Sequence, residues 1–228
     1  MRVMRFAAMA VAALALCGPA GAGLYLDYAR EDATVDDKGA FYSGTEGTLS
    51  IQGYSDAPPM YSLGSLRRVF LQFDISDIPE WAQIVTAEFG IYMVGRNTGG
   101  AATVDPHAAL YIANNDLWDQ TDITWDTKPD YLPGFVDEEK ALAQSGQYYV
   151  WNLLSDMGEN SWTDHLLYIQ SGRLSLMLKT WDEGDNNYAV FNSTEAAEFR
   201  PYLNIVYVPE PASLLLLGIG GFMLARRK

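Results

Sequence analysis

The sequence predicts an all-β fold, a two-sheet β-sandwich or jelly roll, between an N-terminal signal peptide and a C-terminal transmembrane helix. Three observations predict it. An apolar run follows two arginines at the start, apolar and polar residues alternate repeatedly in the middle, and a second apolar run precedes basic residues at the end. We therefore divide the 228 residues into 1–22, 23–207 and 208–228.

The first segment has the three parts of a secretory signal peptide. Arg2 and Arg5 precede the apolar run 6–16, and small residues at 20–22 supply a cleavage site. The single cysteine, Cys17, lies within this segment and is removed with it; the alternative, a lipoprotein cysteine, is disfavoured because Leu16 stands where that signal needs a small residue. We expect an exported domain without disulfides or a thiolate nucleophile.

Alternation of apolar and polar residues predicts the strands of the central domain. It is clearest in four segments, 69–75, 87–93, 174–178 and 203–207. Weaker candidates lie at Leu24 to Ala33, Thr48 to Gly53, Ala108 to Ala113, Tyr148 to Asn152, and Tyr188 to Phe191. About nine short strands separated by turn-forming clusters favour two packed sheets, with one helix near 163–170.

The charge of the central domain excludes one class of partner. Residues 23–208 contain 28 acidic and 10 basic side chains, a formal charge of 10 − 28 = −18. Phosphate backbones and anionic membrane surfaces repel such a domain, so we expect no nucleic-acid partner.

The last 21 residues combine a Pro-Glu-Pro box, an apolar run and a basic end. The box is Pro209, Glu210 and Pro211, and the end is Arg226, Arg227 and Lys228. As a helix, the 14 apolar residues between 212 and 225 measure about 21 Å, less than the ~30 Å of a bilayer core, although snorkelling basic residues can close part of that gap. The alternative is a C-terminal core helix, which an apolar run without a polar face fits less well.

This tail resembles a PEP-CTERM sorting signal. The resemblance implies recognition by an exosortase in a Gram-negative bacterium that makes extracellular polysaccharide. It also implies an inner-membrane anchor before processing near the Pro-Glu-Pro box, and a final location at the cell surface or in the extracellular matrix. A third option is a membrane anchor that is never processed.

The central domain resembles the DNRLRE family, which is related to disaggregatase-associated and carbohydrate-binding β-sandwich modules. Four segments carry the resemblance: 32–36 with 47–51, 73–79 leading into 84–92, 123–129, and 191–195 with 200–203. The resemblance implies a polysaccharide ligand. Because some relatives bind acidic polysaccharides through basic residues, the charge of −18 favours a neutral glycan here.

Catalytic motifs are scarce in the central domain. It has no Gly-x-Ser-x-Gly elbow, and neither His107 nor His165 has a recognisable partner motif. Carboxylates are so numerous that pairing two of them as a glycosidase site has no support without geometry. We expect a non-enzymatic protein; the alternative is a carbohydrate-active enzyme or its accessory binding module.

Glycan binding needs aromatic faces that stack on sugars and polar groups that pair with hydroxyls. Trp125 and Trp151 lie in apolar segments and are predicted to be core. The surface candidates are tryptophans flanked by acids, namely Trp118 with Asp119 and Trp181 with Asp182.

The run 182–187 is a candidate calcium site. Asp182, Asp185 and Asn187 place several oxygen ligands in one turn, as calcium requires, but their spacing does not match an EF-hand. The alternative is a solvated hairpin loop, because Asp, Gly and Asn are also ordinary turn formers.

Overall fold

The computed structural model describes residues 23–39, 42–43, 47–53, 65–79, 82–98, 105–134, 136–155, 172–184 and 187–208. Every regular element in these ranges is a β-strand, which confirms the all-β prediction. No helix within them has the length and apolar character needed to cross a membrane. The signal peptide, the helix predicted near 163–170, His165, Asp185 and the tail after 208 lie outside the described residues.

Twelve strands make up the described fold, where about nine were predicted. They are β1 Gly23–Tyr28, β2 Glu31–Asp36, β3 Tyr42–Ser43, β4 Thr48–Gln52, β5 Arg67–Asp74, β6 Gln83–Thr98, β7 His107–Ile112, β8 Val136–Ala141, β9 Gln147–Asn152, β10 Arg173–Thr180, β11 Asn187–Asn192 and β12 Tyr202–Val208.

One predicted strand, Leu24 to Ala33, is wrong because it is two strands that belong to opposite layers. Strand β1 pairs with β12, whereas β2 pairs with β5. The chain turns between them at Ala29 and Arg30, whose amides donate to the carbonyl oxygens of Pro201 (3.2 Å) and Gln72 (2.7 Å). The turn therefore directs the chain from one layer to the other.

The strands form one continuous antiparallel sheet in the order β1-β12-β6-β11-β4-β5-β10-β7-β8, with β9 along β6, and with β2 and β3 beside β5. The single residue pair Gln52–Arg67 links β4 to β5, so the sheet curls there into two layers of six strands. Phe73 of β5 meets Phe89 of β6 edge to face across the core, with 6.0 Å between ring centroids. This two-layered arrangement is the predicted sandwich.

The alternation read in the sequence identifies the core correctly. The inward residues Val69, Leu71 and Phe73 of β5 are fully buried, as are their counterparts on β6, β10 and β12. Trp151, predicted to be core, is also fully buried and packs 5.9 Å from Phe89.

A second apolar cluster lies on the outer side of β2, β5, β7 and β10. Phe70 and Met177 project there, and the segment 114–134 covers them with Trp118, Ile123 and Trp125. The prediction that Trp118 lies at the surface is therefore wrong: its indole is 8% exposed, and its Nε1 donates to Ser175 Oγ at 2.9 Å. Acidic neighbours point outward while the ring closes this cluster.

The strand registers place Gly23 and Val208, the first and last residues of the described domain, at the same end of the sandwich. Gly23 pairs with Tyr207, and Val208 pairs with Gln83 at the start of β6. We call this the proximal end. The opposite, distal end contains Thr98 at the end of β6 and Asn187, which pairs with it. Sixteen extended residues of β6 span about 50 Å between these ends.

Candidate functional site

A cleft of about 230 Å³ opens at the distal end, where β7 and β11 begin and β10 ends. Its lining mixes one tryptophan, one histidine, three carboxylates, a hydroxyl and an amide. The residues are Asp105, His107, Glu139, Thr180, Trp181, Asp182 and Asn187. Aromatic surface beside hydroxyl and carboxylate oxygens is the chemistry that recognises a sugar.

Strand β7, which pairs with β10, positions Trp181 of the cleft. Trp181 follows β10 directly, and its amide donates to the carbonyl oxygen of His107 at 2.8 Å, extending the β7–β10 ladder. Asp182 Oδ1 then accepts the amide of Gly184 at 2.8 Å and closes a tight turn. Trp181 lines the cleft and remains 40% exposed.

The turn that carries Trp181 is fixed by Glu183. Its carboxylate accepts hydrogen bonds from Arg68 Nε (2.8 Å) and Nη2 (3.0 Å), and Lys179 Nζ lies 3.4 Å away. Burial raises the pKa of Glu183, but the hydrogen bonds and charge of Arg68 and the charge of Lys179 outweigh it and leave the pKa below its ordinary value. The Arg68 guanidinium also lies over the Trp125 ring, 4.9 Å from its centroid.

Two buried oxygens in the cleft lack hydrogen-bond partners in the described part of the chain. They are Thr180 Oγ1 and Asn187 Oδ1, on residues that are 2% and 5% exposed. Buried polar atoms are normally paired, and leaving one unpaired costs about 1–3 kcal/mol. Both residues line the cleft, so a side-chain rotation that exposes these oxygens would let them accept hydrogen bonds from sugar hydroxyls.

Charged groups surround this opening. His107 Nδ1 lies 3.6 Å from Glu139 Oε1 of β8, and Asp105 forms an ion pair with Arg96 of β6. The carboxylates of Asp105, Glu139 and Asp182 make the rim of the cleft acidic. An acidic rim suits a neutral sugar better than an anionic one.

The structure brings some of the predicted site residues together and separates others. Trp181, Asp182 and Asn187 line the cleft. Asp119 is remote from it and exposed, and hydrogen bonds from the side chain and backbone of Thr121 hold its pKa below the usual range. Trp118 is buried in the second apolar cluster and presents no face to a ligand.

Sequence reasoning missed the cleft residues supplied by other strands. Glu139 lies on β8, whose acidic sequence shows no apolar alternation, and Thr180 looked like an ordinary strand terminus. His107 has no partner motif in the sequence because Glu139, which lies beside it, is distant in sequence and is brought near by the pairing of β7 with β8. The sequence indicated the cleft only through the turn-forming residues that follow β10.

Two of the three predicted calcium ligands, Asp182 and Asn187, line the cleft. The described residues contain no group of three or more His, Cys, Asp or Glu side chains arranged to hold a metal ion. Asn187 Oδ1 has no other partner there, whereas Asp182 Oδ1 already accepts the Gly184 amide. Calcium prefers six to eight oxygen ligands, so calcium binding by Asp182, Asp185 and Asn187 stays a prediction.

The two-layered antiparallel fold is a β-sandwich, and the cleft at its distal end has a lining that is compatible with a sugar. The chain belongs to carbohydrate-binding module family 96, whose model matches residues 27–207. The predicted class of domain is thereby confirmed, and the narrower DNRLRE resemblance fits it broadly. A search of curated proteins gives no match to the chain.

Residues 208–228 match the PEP-CTERM protein-sorting motif, which confirms the predicted sorting signal. The motif marks an exported protein that is processed at the membrane and implies an exosortase as its processing partner. Together, the two matches describe an exported surface protein with a carbohydrate-binding domain.

Proposed function

We propose that this domain is a non-catalytic module that binds a neutral polysaccharide in the distal cleft. One arrangement carries the proposal: Trp181, which is 40% exposed, lines the same cleft as Thr180 and Asn187, whose buried side-chain oxygens have no hydrogen-bond partner among the described residues. A pyranose ring stacked on the indole would place its hydroxyls beside these two residues, and a small side-chain rotation would let their oxygens accept hydrogen bonds from it. Carbohydrate-binding modules are typically non-catalytic, which agrees with the scarcity of catalytic motifs.

The binding test uses short neutral oligosaccharides, because they can occupy the cleft alone. Calorimetric titration of the full-length chain in detergent with cello- and manno-oligosaccharides should give weak but saturable binding. Trp181→Ala should weaken it about tenfold, and Trp181→Phe by less, since phenylalanine retains an aromatic face. Leu117→Ala is the matched control, because Leu117 is 84% exposed and does not line the cleft. Unchanged binding by Trp181→Ala would contradict the proposal.

The same titration, repeated with calcium and with a chelator, tests the predicted calcium site. Two of the three proposed calcium ligands, Asp182 and Asn187, line the cleft. A loss of oligosaccharide binding on chelation, restored by calcium, supports a calcium site at Asp182, Asp185 and Asn187. Identical binding in calcium and in chelator supports the alternative of a plain hairpin loop.

A carbohydrate-active enzyme is the second candidate. The observation that favours it is the set of three carboxylates, Asp105, Glu139 and Asp182, in one cleft. Glycosidases use two carboxyl groups on either side of the scissile bond. Release of reducing ends from a polysaccharide by the purified chain, abolished by Glu139→Gln, would show that the domain is an enzyme and not a binding module.

The same proposal includes the protein's location. We propose that the tail anchors the chain in the inner membrane of a Gram-negative bacterium until an exosortase processes it near Pro209, Glu210 and Pro211. The protein then resides at the cell surface or in the extracellular polysaccharide. Both chain ends leave the domain at the proximal end, so an anchored chain holds its cleft away from the membrane. Intact-mass analysis of the mature C-terminus tests the processing.

A further inference from the structure

A second surface with sugar-binding chemistry lies on the outer side of β1, β12, β6 and β9, away from the cleft. Five aromatic side chains meet there: Tyr28, Tyr92, Tyr148, Phe199 and Tyr202, which we call the aromatic face. We propose that the aromatic face is a second carbohydrate site, which binds a neutral polysaccharide chain laid across the strands.

The strand register arranges these rings in rows. Tyr28, Tyr202, Gly90 and Val150 are successive partners across four strands, and Tyr92 is paired with Tyr148 in the next row. Neighbouring strands lie about 4.8 Å apart, close to the length of a pyranose unit along a β-linked chain. A polysaccharide crossing the strands would therefore meet a new side chain with each sugar.

The rings contact one another closely. Tyr92 stacks on Phe199 with 4.5 Å between centroids and 14° between planes, and Tyr148 meets the edges of Tyr92 and Tyr202 at 5.3 Å each. Gly90 is necessary for this packing, because a Cβ there would overlap the Tyr202 ring. Phe199 is still 49% exposed and Tyr28 50%, so aromatic surface remains open to solvent.

The backbone is strained at Phe199, one of the rings of the aromatic face. Its φ is 57°, in the left-handed region that non-glycine residues rarely adopt. Asn192 Nδ2 secures this conformation by donating to the carbonyl oxygens of Glu198 (3.1 Å) and Phe199 (3.3 Å). Tyr148 also donates to the carbonyl oxygen of Arg200 at 3.2 Å. Strain maintained by surrounding contacts is often found at binding surfaces.

Charge identifies the occupant. Within the described outward positions of β1, β12, β9 and β6 up to Val94, the one charged side chain is Glu88, which lies between Asn204 and Asn152. Residues 23–208 carry −18 overall, so a face with a single charged side chain on its strands is unexpected. Repulsion at that net charge opposes both a second copy and an anionic membrane. A neutral polymer bears no such penalty.

The polar groups of the aromatic face also suit sugar hydroxyls. Burial raises the pKa of Tyr148, helped by nearby Tyr28, Tyr202 and Tyr92, and burial and then Glu88 raise that of Tyr202. These phenols therefore stay protonated in the physiological range and can both donate and accept. Asn204 and Asn152 supply amides in the adjoining row.

The experiment compares a long polymer with short oligosaccharides. Affinity electrophoresis of the full-length chain in detergent, through gels containing hydroxyethyl cellulose or galactomannan, measures polymer binding. The variant Phe199→Gly with Tyr28→Ala removes both exposed rings, and glycine accepts the φ of residue 199 without strain. Polymer binding should fall about tenfold, while calorimetric binding of short oligosaccharides at the cleft should not change.

Two controls make the result specific. Leu24→Ala removes an exposed side chain from the same strand as Tyr28 and should leave polymer binding unchanged. Trp181→Ala should weaken oligosaccharide binding while polymer binding by the aromatic face persists. If the double variant unfolds, Tyr28→Ala alone should still lower polymer binding several-fold. Unaltered polymer binding by a folded variant would overturn the proposal. So would a finding that the unsubstituted chain is a dimer in solution and that the double variant is a monomer, because the aromatic face would then bind a second copy of the chain.

Discussion

Glu183 accepts two hydrogen bonds from the Arg68 guanidinium, at 2.8 Å from Nε and 3.0 Å from Nη2. The pair connects the turn that carries Trp181 to the beginning of β5. The side chains of Arg68 and Glu183 are 15% and 22% exposed. A two-pronged pair of this kind fixes both the position and the orientation of the turn. The geometry of the cleft thus depends on a residue that does not line it.

The first prediction concerns this pair. Glu183→Gln should reduce the free energy of unfolding by about 1–3 kcal/mol, because it leaves the partly buried Arg68 without its charged partner. It should also weaken oligosaccharide binding several-fold by loosening Trp181. Urea unfolding and calorimetry measure the two effects.

Glu138→Gln is the matched control for that change. Glu138 lies 3.4 Å from Lys140, but its side chain is 74% exposed. Exposed ion pairs contribute little, so neither stability nor binding should change measurably. Equal effects from the two substitutions would contradict the positioning role of Glu183.

The burial of Asp32 predicts that the stability of the fold depends on pH. It is fully buried in β2, and although its Oδ2 accepts the amide of Thr194 at 2.5 Å, its Oδ1 has no partner among the described residues. Burial, with the nearby charge of Glu195, raises its pKa from 3.8 to about 7 despite that hydrogen bond. The native state then binds a proton that the unfolded state has released.

The contribution of protonated Asp32 to the free energy of unfolding should therefore be fully present below about pH 4. It should be lost as the pH rises toward 7. The total change is about 4 kcal/mol at most, at about 1.4 kcal/mol per pKa unit. Asp32→Asn should remove this part of the pH dependence. Urea unfolding of both proteins at pH 5, 6, 7 and 8 should show their difference in stability changing between pH 5 and 7 and levelling off by pH 8. A constant difference would rule out a titrating Asp32.

Gly90 supports a third prediction, with a control on the same strand. Gly90→Ala should destabilise the fold by about 1–3 kcal/mol, because its Cβ would overlap the Tyr202 ring. Gly95→Ala meets no atom within 4 Å and should change stability little. Thermal unfolding distinguishes them; similar melting temperatures would show that Tyr202 can move away without cost.

Local patterns in the sequence revealed the core but not the contacts between distant segments. Alternation at Leu71 and Phe89 is a property of one strand with one buried face, so it was readable directly. Trp118 was misplaced because its flanking acids indicated exposure, whereas the ring covers Phe70 from outside the sheet. A second apolar cluster of this kind has no periodic signature.

The cleft was only partly predictable for the same reason. Trp181, Asp182 and Asn187 are close in sequence and carry turn chemistry, so they could be proposed together. His107 and Glu139 join them through the pairing of β10 with β7 and of β7 with β8. Such pairing is set by the global topology. The aromatic face likewise requires the β1–β12–β6–β9 register.

The buried hydroxyl of Thr180 provides the sharpest test of the cleft, because stability and binding should change in opposite directions. Thr180 Oγ1 is buried with no hydrogen-bond partner among the described residues, so Thr180→Val, which keeps the shape, should stabilise the fold by about 1 kcal/mol. The same change removes an acceptor for a sugar hydroxyl and should weaken oligosaccharide binding several-fold. Thr34→Val is the control, since Thr34 Oγ1 accepts the Ser50 amide at 3.0 Å and its loss should destabilise the protein. A Thr180→Val protein that is both less stable and unaltered in binding would show that the hydroxyl serves the fold rather than a ligand.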